Sequence, residues 1–91
     1  RVGVVKEPNT GFQYSGGGSL IAQLAMMDMS KMEFEPLMRS LVFDKLGMNS
    51  ATFEQPLSKK YARRASWGYQ DVSWYKGTPY VYPQQAAAGL Y

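Results

Sequence analysis

The strongest constraint on how this chain can fold is a run of three glycines at positions 16–18, followed at once by a helical pattern of apolar residues. Glycine loses more backbone entropy on ordering than any other residue, and it is favoured where φ is positive or where another group approaches the backbone closely. We therefore expect residues 16–18 to form a loop. From Leu20 onward, apolar side chains recur every three or four residues, which predicts a helix with Ser19 as its N-cap that ends near Met29.

A second helix is predicted further along, and its starting point is set by a proline. Ser30 and Glu33 have the spacing of a capping box, which would start a helix at Ser30. Pro36 opposes that start, because a proline beyond the first turn removes a hydrogen bond and clashes with the preceding turn. We therefore expect this helix to begin at Glu33 or Phe34, with Pro36 in its first turn, and to end at Gly47 as the C′ residue.

The remaining segments carry weaker patterns of secondary structure. β-type residues favour short strands at 2–5 and 52–54, a helical turn is expected at 61–65, and residues 65–70 are expected to be extended. Residues 73–82 have the aromatic, turn-rich composition of a hairpin, and the alanines at 86–88 favour a helix. The expected fold is mainly α with short β-strands.

The length of the chain is more consistent with part of a domain than with a complete one. A chain of 91 residues buries only about 60% of the surface that its unfolded form exposes. It has no cysteine and so no disulfide to compensate, although 45% hydrophobic and 19% charged residues are a globular composition. Neither end looks like a natural terminus. We expect residues 1–91 to be one partial domain, without a second domain.

The charge distribution indicates a soluble surface and no particular macromolecular partner. The net charge is +3, and its one local concentration is the basic cluster at Lys59, Lys60, Arg63 and Arg64. This cluster could bind phosphate groups. Charge alone, however, is evidence mainly of solubility and non-specific contacts, and we expect no nucleic-acid binding. No apolar run approaches the roughly 20 residues that a membrane-spanning helix needs, so no membrane span is expected.

The absence of histidine and cysteine excludes several kinds of catalytic site. A Ser-His-Asp triad, a cysteine nucleophile and a zinc site of the usual ligands are all ruled out, and no cofactor and no metal is expected. What remains for nucleophilic chemistry is a serine activated by lysine or tyrosine. One literal Ser-x-x-Lys motif spans Ser73 and Lys76, but its aromatic surroundings and the following Gly-Thr-Pro predict no helix there. We interpret it as a coincidence.

An ordered set of segments carries a more informative pattern. Residues 8–20, PNTGFQYSGGGSL, resemble the stretch around the tyrosine motif of class C β-lactamases, of esterases with a β-lactamase fold and of related D-alanyl-D-alanine carboxypeptidases. In that family Tyr-Ser-Asn or Tyr-Ser-Gly precedes a helix of the type Leu-Leu-Gly-Gln, and here Tyr14-Ser15-Gly16 precedes LIAQ. Residues 43–53 and 82–91 resemble the family's Pro-Leu-Gly-Met-x-x-Thr and Ala-Gly-Gly-Leu segments, in order and at the right spacing.

This resemblance implies a fold and a role for the tyrosine motif. The chain would be an internal part of the α+β β-lactamase/transpeptidase-like fold, mostly its helical part. Tyr14 would transfer protons beside a nucleophilic serine and its lysine, because a phenol with a pKa of about 10 needs a neighbouring cation to act as a base. Ser15 and Gly16 would contact the substrate. Many members have an asparagine at the position of Gly16, and that asparagine contacts the amide of the substrate. Because Gly16 lacks this side chain, the resemblance implies simple esters as substrates in addition to β-lactams and D-Ala peptides.

The same resemblance places the other catalytic elements outside this chain. The family's Ser-x-x-Lys lies upstream and its Lys-Thr-Gly or His-x-Gly element downstream. We therefore expect the complete protein to be a serine-dependent acyl hydrolase and the isolated 91 residues to be inactive. Domain swapping or self-association of the isolated piece stays open. The family commonly works in the periplasm or as secreted proteins, which is the location that the resemblance implies.

Two alternatives remain at the level of sequence. A non-catalytic member of the same fold would keep these helices for binding peptidoglycan or another partner, without the upstream serine and lysine. An unrelated small helical module would instead use the basic cluster at 59–64 to bind polyanions with strong salt dependence.

Overall fold

The computed structural model describes residues 3–66 and 81–91, together with the backbone of two short strands between them. The helices are α1 (Gly16–Ser30), α2 (Phe34–Met38), a π-helical segment (Arg39–Phe43), α3 (Asp44–Leu46), α4 (Lys59–Ala62) and α5 (Gln85–Ala88). Strands β1 (Tyr69–Gln70) and β2 (Ser73–Trp74) pair antiparallel, with Tyr69 opposite Trp74. The mainly helical fold with short strands confirms the predicted class.

Helix α1 begins earlier than the sequence predicts, and the three glycines form its first turn. The loop expected at 16–18 and the N-cap expected at Ser19 are therefore wrong. Ser15 is the N-cap: its backbone is extended, with φ −150° and ψ 108°, and its Oγ accepts a hydrogen bond from the backbone N–H of Gly18 at 3.0 Å. None of the three glycines has a positive φ. The capping bond offsets part of the entropy cost that glycine brings to a helix.

The second helical stretch confirms the predicted boundaries. It begins at Phe34, places Pro36 in its first turn and ends before Gly47, whose φ of 65° is the left-handed conformation expected of a C′ glycine. The backbone N–H of Met48 then closes the end of the helix by donating to the Phe43 carbonyl at 2.8 Å.

A π-helical turn interrupts this stretch between Arg39 and Phe43, and the sequence did not predict it. In a regular α-helix each residue rotates by about 100°, so Phe34 and Phe43, nine positions apart, would lie on opposite sides. The wider π turn reduces that rotation. Both rings pack on Phe53, with centroid distances of 4.9 Å for Phe34 and 5.6 Å for Phe43. The wide turn thus brings two phenylalanines of one helix into one core.

The core around these three rings is small, and it receives little from α1. Met27 is the α1 residue that packs against it, beside the partly buried Met38, Val42 and Ala51. The core therefore lies mainly between α2, the π turn and residues 51–53.

A carboxylate network ties α2 to the segment after α3. Glu35 accepts hydrogen bonds from Arg39 Nε at 3.0 Å, from Thr52 Oγ1 at 3.3 Å and from the backbone N–H of Phe53 at 2.8 Å. The hydrogen bond to Glu35 is the main reason that the pKa of Arg39 is raised above its usual value. Arg39 in turn lies 3.5 Å from the Tyr61 hydroxyl, which links α4 to the same network.

Residues 81–91 pack back onto this framework through backbone and amide hydrogen bonds. Thr52 and Tyr91 exchange two backbone hydrogen bonds of 2.9 Å, so the strand expected at 52–54 is reduced to one bridging pair. Gln55 adds bonds to the carbonyl of Gly89 and to the backbone N–H of Tyr82. The helix expected at the alanines is confirmed as α5.

The other short predictions have mixed outcomes. The strand expected at 2–5 is absent over the described positions 3–5, where Val4 and Val5 are exposed and pair with no strand among the residues that the structure describes. The helical turn expected at 61–65 is confirmed but begins two residues earlier, at Lys59. Ser73–Trp74 forms a strand, but it pairs with Tyr69–Gln70 upstream and not with the second half of the hairpin expected over 73–82. Positions 81 and 82 are not in a strand, and 75–80 lie outside the described residues.

Candidate functional site

The tyrosine motif lies at the exposed start of α1. Tyr14 immediately precedes the N-cap residue, and its side chain is 85% exposed. A tyrosine beside glycines is commonly a packed aromatic residue, but Tyr14 does not join the hydrophobic cluster of the described part of the chain. The structure thus leaves the phenol accessible to a group that approaches the N-terminus of α1.

Ser15 has a structural role that limits what else it can do. Its Oγ accepts the N–H of Gly18, and its carbonyl accepts the N–H of Ser19 at 3.3 Å. A serine hydroxyl has one donor and two acceptor positions, so the Ser15 O–H is still able to donate. Ser15 can therefore cap the helix and contact a bound group at the same time.

The first turn of α1 has a bare surface. A Cβ built on Gly16 would meet nothing within 4 Å, and at Gly17 and Gly18 it would meet only the Ser15 side chain, at 3.7 Å and 3.6 Å. The backbone N–H groups of a first turn have no partner within the helix and lie at the positive end of the helix dipole. Tyr14, Ser15 and Gly16 are consecutive in sequence, and they lie together at the uncovered N-terminus of α1.

In the middle of α1, the buried residue is a polar one. Gln23 is 4% exposed, whereas Ile21 and Leu24 are 58% and 55% exposed. The Gln23 amide contacts Pro83, Gln85 and Ala86 in the segment that begins α5. Sequence reasoning missed this residue. Its spacing of four from Met27, which faces the core, is the signal that could have identified it.

The other candidate residues do not join this site in the described part of the chain. The basic cluster at Lys59, Lys60, Arg63 and Arg64 is exposed on and just after α4, and the Lys60 ammonium lies 4.8 Å from the centre of the Tyr61 ring. Ser73 lies in strand β2 and not at the start of a helix. This agrees with the interpretation of its Ser-x-x-Lys motif as a coincidence. The described helices include none that is long and apolar enough to cross a membrane.

Comparison with known proteins identifies the family of this chain. No curated protein and no solved structure matches the chain significantly. The family model described as beta-lactamase matches residues 1–91, the whole chain, and the helices described above fit a helical part of that fold. The chain therefore belongs to the β-lactamase family.

Proposed function

We propose that this chain supplies the tyrosine arm of the active site in a serine-dependent acyl hydrolase, with Tyr14 as its proton-transfer residue. The nucleophilic serine and its lysine come, in this proposal, from sequence outside residues 1–91. The observation that carries the proposal is the exposure of Tyr14 at an open helix start, within a chain of the β-lactamase family.

The chemistry needs a group that both takes up and returns a proton. The serine oxygen attacks the acyl carbon, its proton passes to the Tyr14 oxygen under the influence of the adjacent lysine, and that proton then moves to the leaving oxygen or nitrogen. Water repeats the sequence to release the acyl group from the serine. The lysine supplies positive charge beside the Tyr14 oxygen, and transfer of the proton by a positioned side chain is the contribution that the proposal assigns to Tyr14.

The bare first turn of α1 supports an approach of substrate at this point. Three glycines lower the stability of a helix, each by about 0.5–1 kcal/mol relative to alanine. Their dihedral angles do not require glycine, and neither do neighbouring atoms, because alanine would fit at Gly16. A requirement for close approach from outside the described chain explains their presence better than local folding does.

Gly16 also bears on the kind of substrate. It has no side chain that could bind the amide of a β-lactam or peptide, so we propose simple esters as the preferred substrates, ahead of β-lactams and D-Ala peptides. The backbone and the Ser15 hydroxyl are then the groups of this loop that contact the substrate.

A Tyr14→Phe variant of the full-length protein tests the proposal. Loss of a proton-transfer residue typically lowers kcat by about 10²–10⁴-fold, and this is the expected result with p-nitrophenyl acetate as substrate. Tyr82→Phe makes the same chemical change in the segment before α5 and is expected to retain activity. Equal activity of Tyr14→Phe and the unmodified protein would exclude the role of Tyr14.

The alternatives of the sequence analysis are separated by the same assays. The unrelated helical module is not favoured, because the family match covers the whole chain. A non-catalytic binding protein of this fold would show no turnover of p-nitrophenyl acetate or of nitrocefin in the full-length form. Robust turnover by residues 1–91 alone would overturn the proposal that the nucleophile lies elsewhere.

A further inference from the structure

Gln23 occupies an unusual position on α1, because it is the one buried residue among the fifteen of this helix. Its neighbours Ile21 and Leu24 are exposed, so apolar packing does not fix this part of the helix within the described structure. Met27, one turn further on, makes the contact with the phenylalanine core. The orientation of the N-terminal half of α1 therefore depends on Gln23 and Met27.

The amide of Gln23 uses both its acceptor and its donors. Its Oε1 accepts the backbone N–H of Ala86 at 2.9 Å, and its Nε2 donates to the Pro83 carbonyl at 3.3 Å and lies 3.5 Å from Gln85 Oε1. Nε2 also lies 4.0 Å from the sulfur of Met27. Gln85 continues the chain of contacts by donating to the Phe53 carbonyl at 2.9 Å. Two glutamines thus form an amide bridge from α1 through α5 to the core segment.

A neutral amide is the group that this position requires. Ala86 lies in the first turn of α5, where backbone N–H groups have no helical partner, and an oxygen at Gln23 satisfies one of them. The Pro83 carbonyl needs a donor from the same side chain. Glutamate lacks that donor when ionised and methionine lacks both groups, whereas an amide supplies donor and acceptor at every pH.

The bridge is close to the tyrosine motif. Gln23 follows Gly16 by seven residues, which is roughly 10 Å of helical rise. We propose that Gln23 is a positioning residue, whose buried amide bridge to the 83–86 segment holds the start of α1, and with it Tyr14, in place for catalysis. This inference rests on the proposed function of Tyr14.

Gln23→Glu in the full-length protein is the central test, with Asn49→Asp as the matched control. Asn49 is exposed after α3, so its variant also replaces an amide by a carboxylate, without touching the bridge or the tyrosine motif. At neutral pH we expect Gln23→Glu to lower kcat by about 10- to 100-fold, the range for a small displacement of a catalytic group, and to leave KM nearly unchanged.

The pH dependence of kcat in Gln23→Glu distinguishes loss of the hydrogen bond from a packing defect, because a packing defect would not change with pH. A protonated glutamic acid regains a donor, and burial raises the pKa of a carboxyl group above its usual value of about 4.3. The ratio of variant to unmodified kcat should therefore recover as the pH falls toward about 5. The groups that contact Gln23, on Met27, Pro83, Gln85 and Ala86, carry no charge that would titrate there. Gln23→Met should show the same loss without the recovery.

Two further measurements separate this inference from the proposed function. Amide exchange at Ala86 reports the bridge without reference to activity and should accelerate in Gln23→Met. In a Tyr14→Phe background, Gln23→Glu should have little additional effect on kcat. An equal loss of kcat in both backgrounds would show that Gln23 does not act through Tyr14 and would overturn the inference. Parallel loss of Tm and activity in both Gln23 variants, without recovery at low pH, would overturn it as well. If Tyr14→Phe is fully active, the proposed function fails, whatever the exchange at Ala86 shows.

Discussion

The Oγ of Ser15 accepts the backbone N–H of Gly18 at 3.0 Å, and this bond caps α1 at the residue that follows Tyr14. Had the helix begun at Ser19, the tyrosine would be separated from the helix by a flexible glycine loop. The observed cap instead fixes Tyr14 to the first turn of a 15-residue helix. The placement of the candidate catalytic residue therefore depends on a serine side chain next to it.

The first prediction concerns this cap. Ser15→Ala should lower the free energy of unfolding by about 1 kcal/mol, because the N–H of Gly18 loses its partner. Ser19→Ala, at the position where the sequence pattern had placed the cap, should have a much smaller effect. Urea unfolding of both variants in the full-length protein makes the comparison. A larger loss at Ser19 than at Ser15 would contradict the observed helix start.

The second prediction separates stability from activity in the glycine turn. Gly17→Ala should raise the free energy of unfolding by about 0.5–1 kcal/mol, since alanine is the better helix former and its Cβ has room. Gly47→Ala should lower it by roughly 1 kcal/mol, because φ is +65° there.

If substrate approaches the first turn closely, Gly17→Ala will also lower kcat/KM for p-nitrophenyl esters despite its greater stability. Thermal unfolding and initial rates on the same preparations measure both quantities. A Gly17→Ala variant that is both more stable and fully active would remove the argument for close approach.

The long helices were predictable because their signals are local. Pro36 and Gly47 fix the limits of the second helical stretch through restrictions on their own dihedral angles, and both limits are confirmed. The glycine run was misassigned for the same reason. Its intrinsic preference favours a loop, while the capping bond from Ser15 and the helix that follows favour the α conformation. The π turn at 39–43 was missed because it serves the packing of Phe43 on Phe53, a contact that no local pattern encodes.

The candidate site was only partly predictable. Tyr14, Ser15 and Gly16 were proposed from resemblance, and the exposure of Tyr14 and Ser15 at a helix start came from the structure. Gln23 was missed because a polar residue in an apolar period is normally assigned to the solvent side. Its burial depends on the carbonyl of Pro83 and the N–H of Ala86, which lie about sixty positions away in sequence and are brought close only by the fold.

The third prediction concerns the carboxylate network at Glu35. Glu35→Ala should lower the free energy of unfolding by about 2–3 kcal/mol, because it leaves the N–H of Phe53 and the buried Thr52 hydroxyl without their acceptor. Asp28→Ala removes a carboxylate from the Lys31 ion pair, in which both side chains are about 80% exposed. That loss should be barely measurable, since exposed pairs contribute little. Chemical denaturation of the two variants tests the difference, and similar losses would contradict a structural role for Glu35.

The fourth prediction concerns the apolar side chains that α1 leaves uncovered. We expect the isolated 91-residue chain to self-associate, because Ile21 and Leu24 are more than half exposed on a helix that contributes little to the core. Leu24→Lys should weaken this association and shift sedimentation toward the monomer. Leu46→Lys makes the same change at a residue that is 69% exposed and belongs to α3 instead of α1, and should leave the association unchanged. Sedimentation velocity at several concentrations compares the two variants. If the chain associates through α1, the larger species should decrease in Leu24→Lys and not in Leu46→Lys.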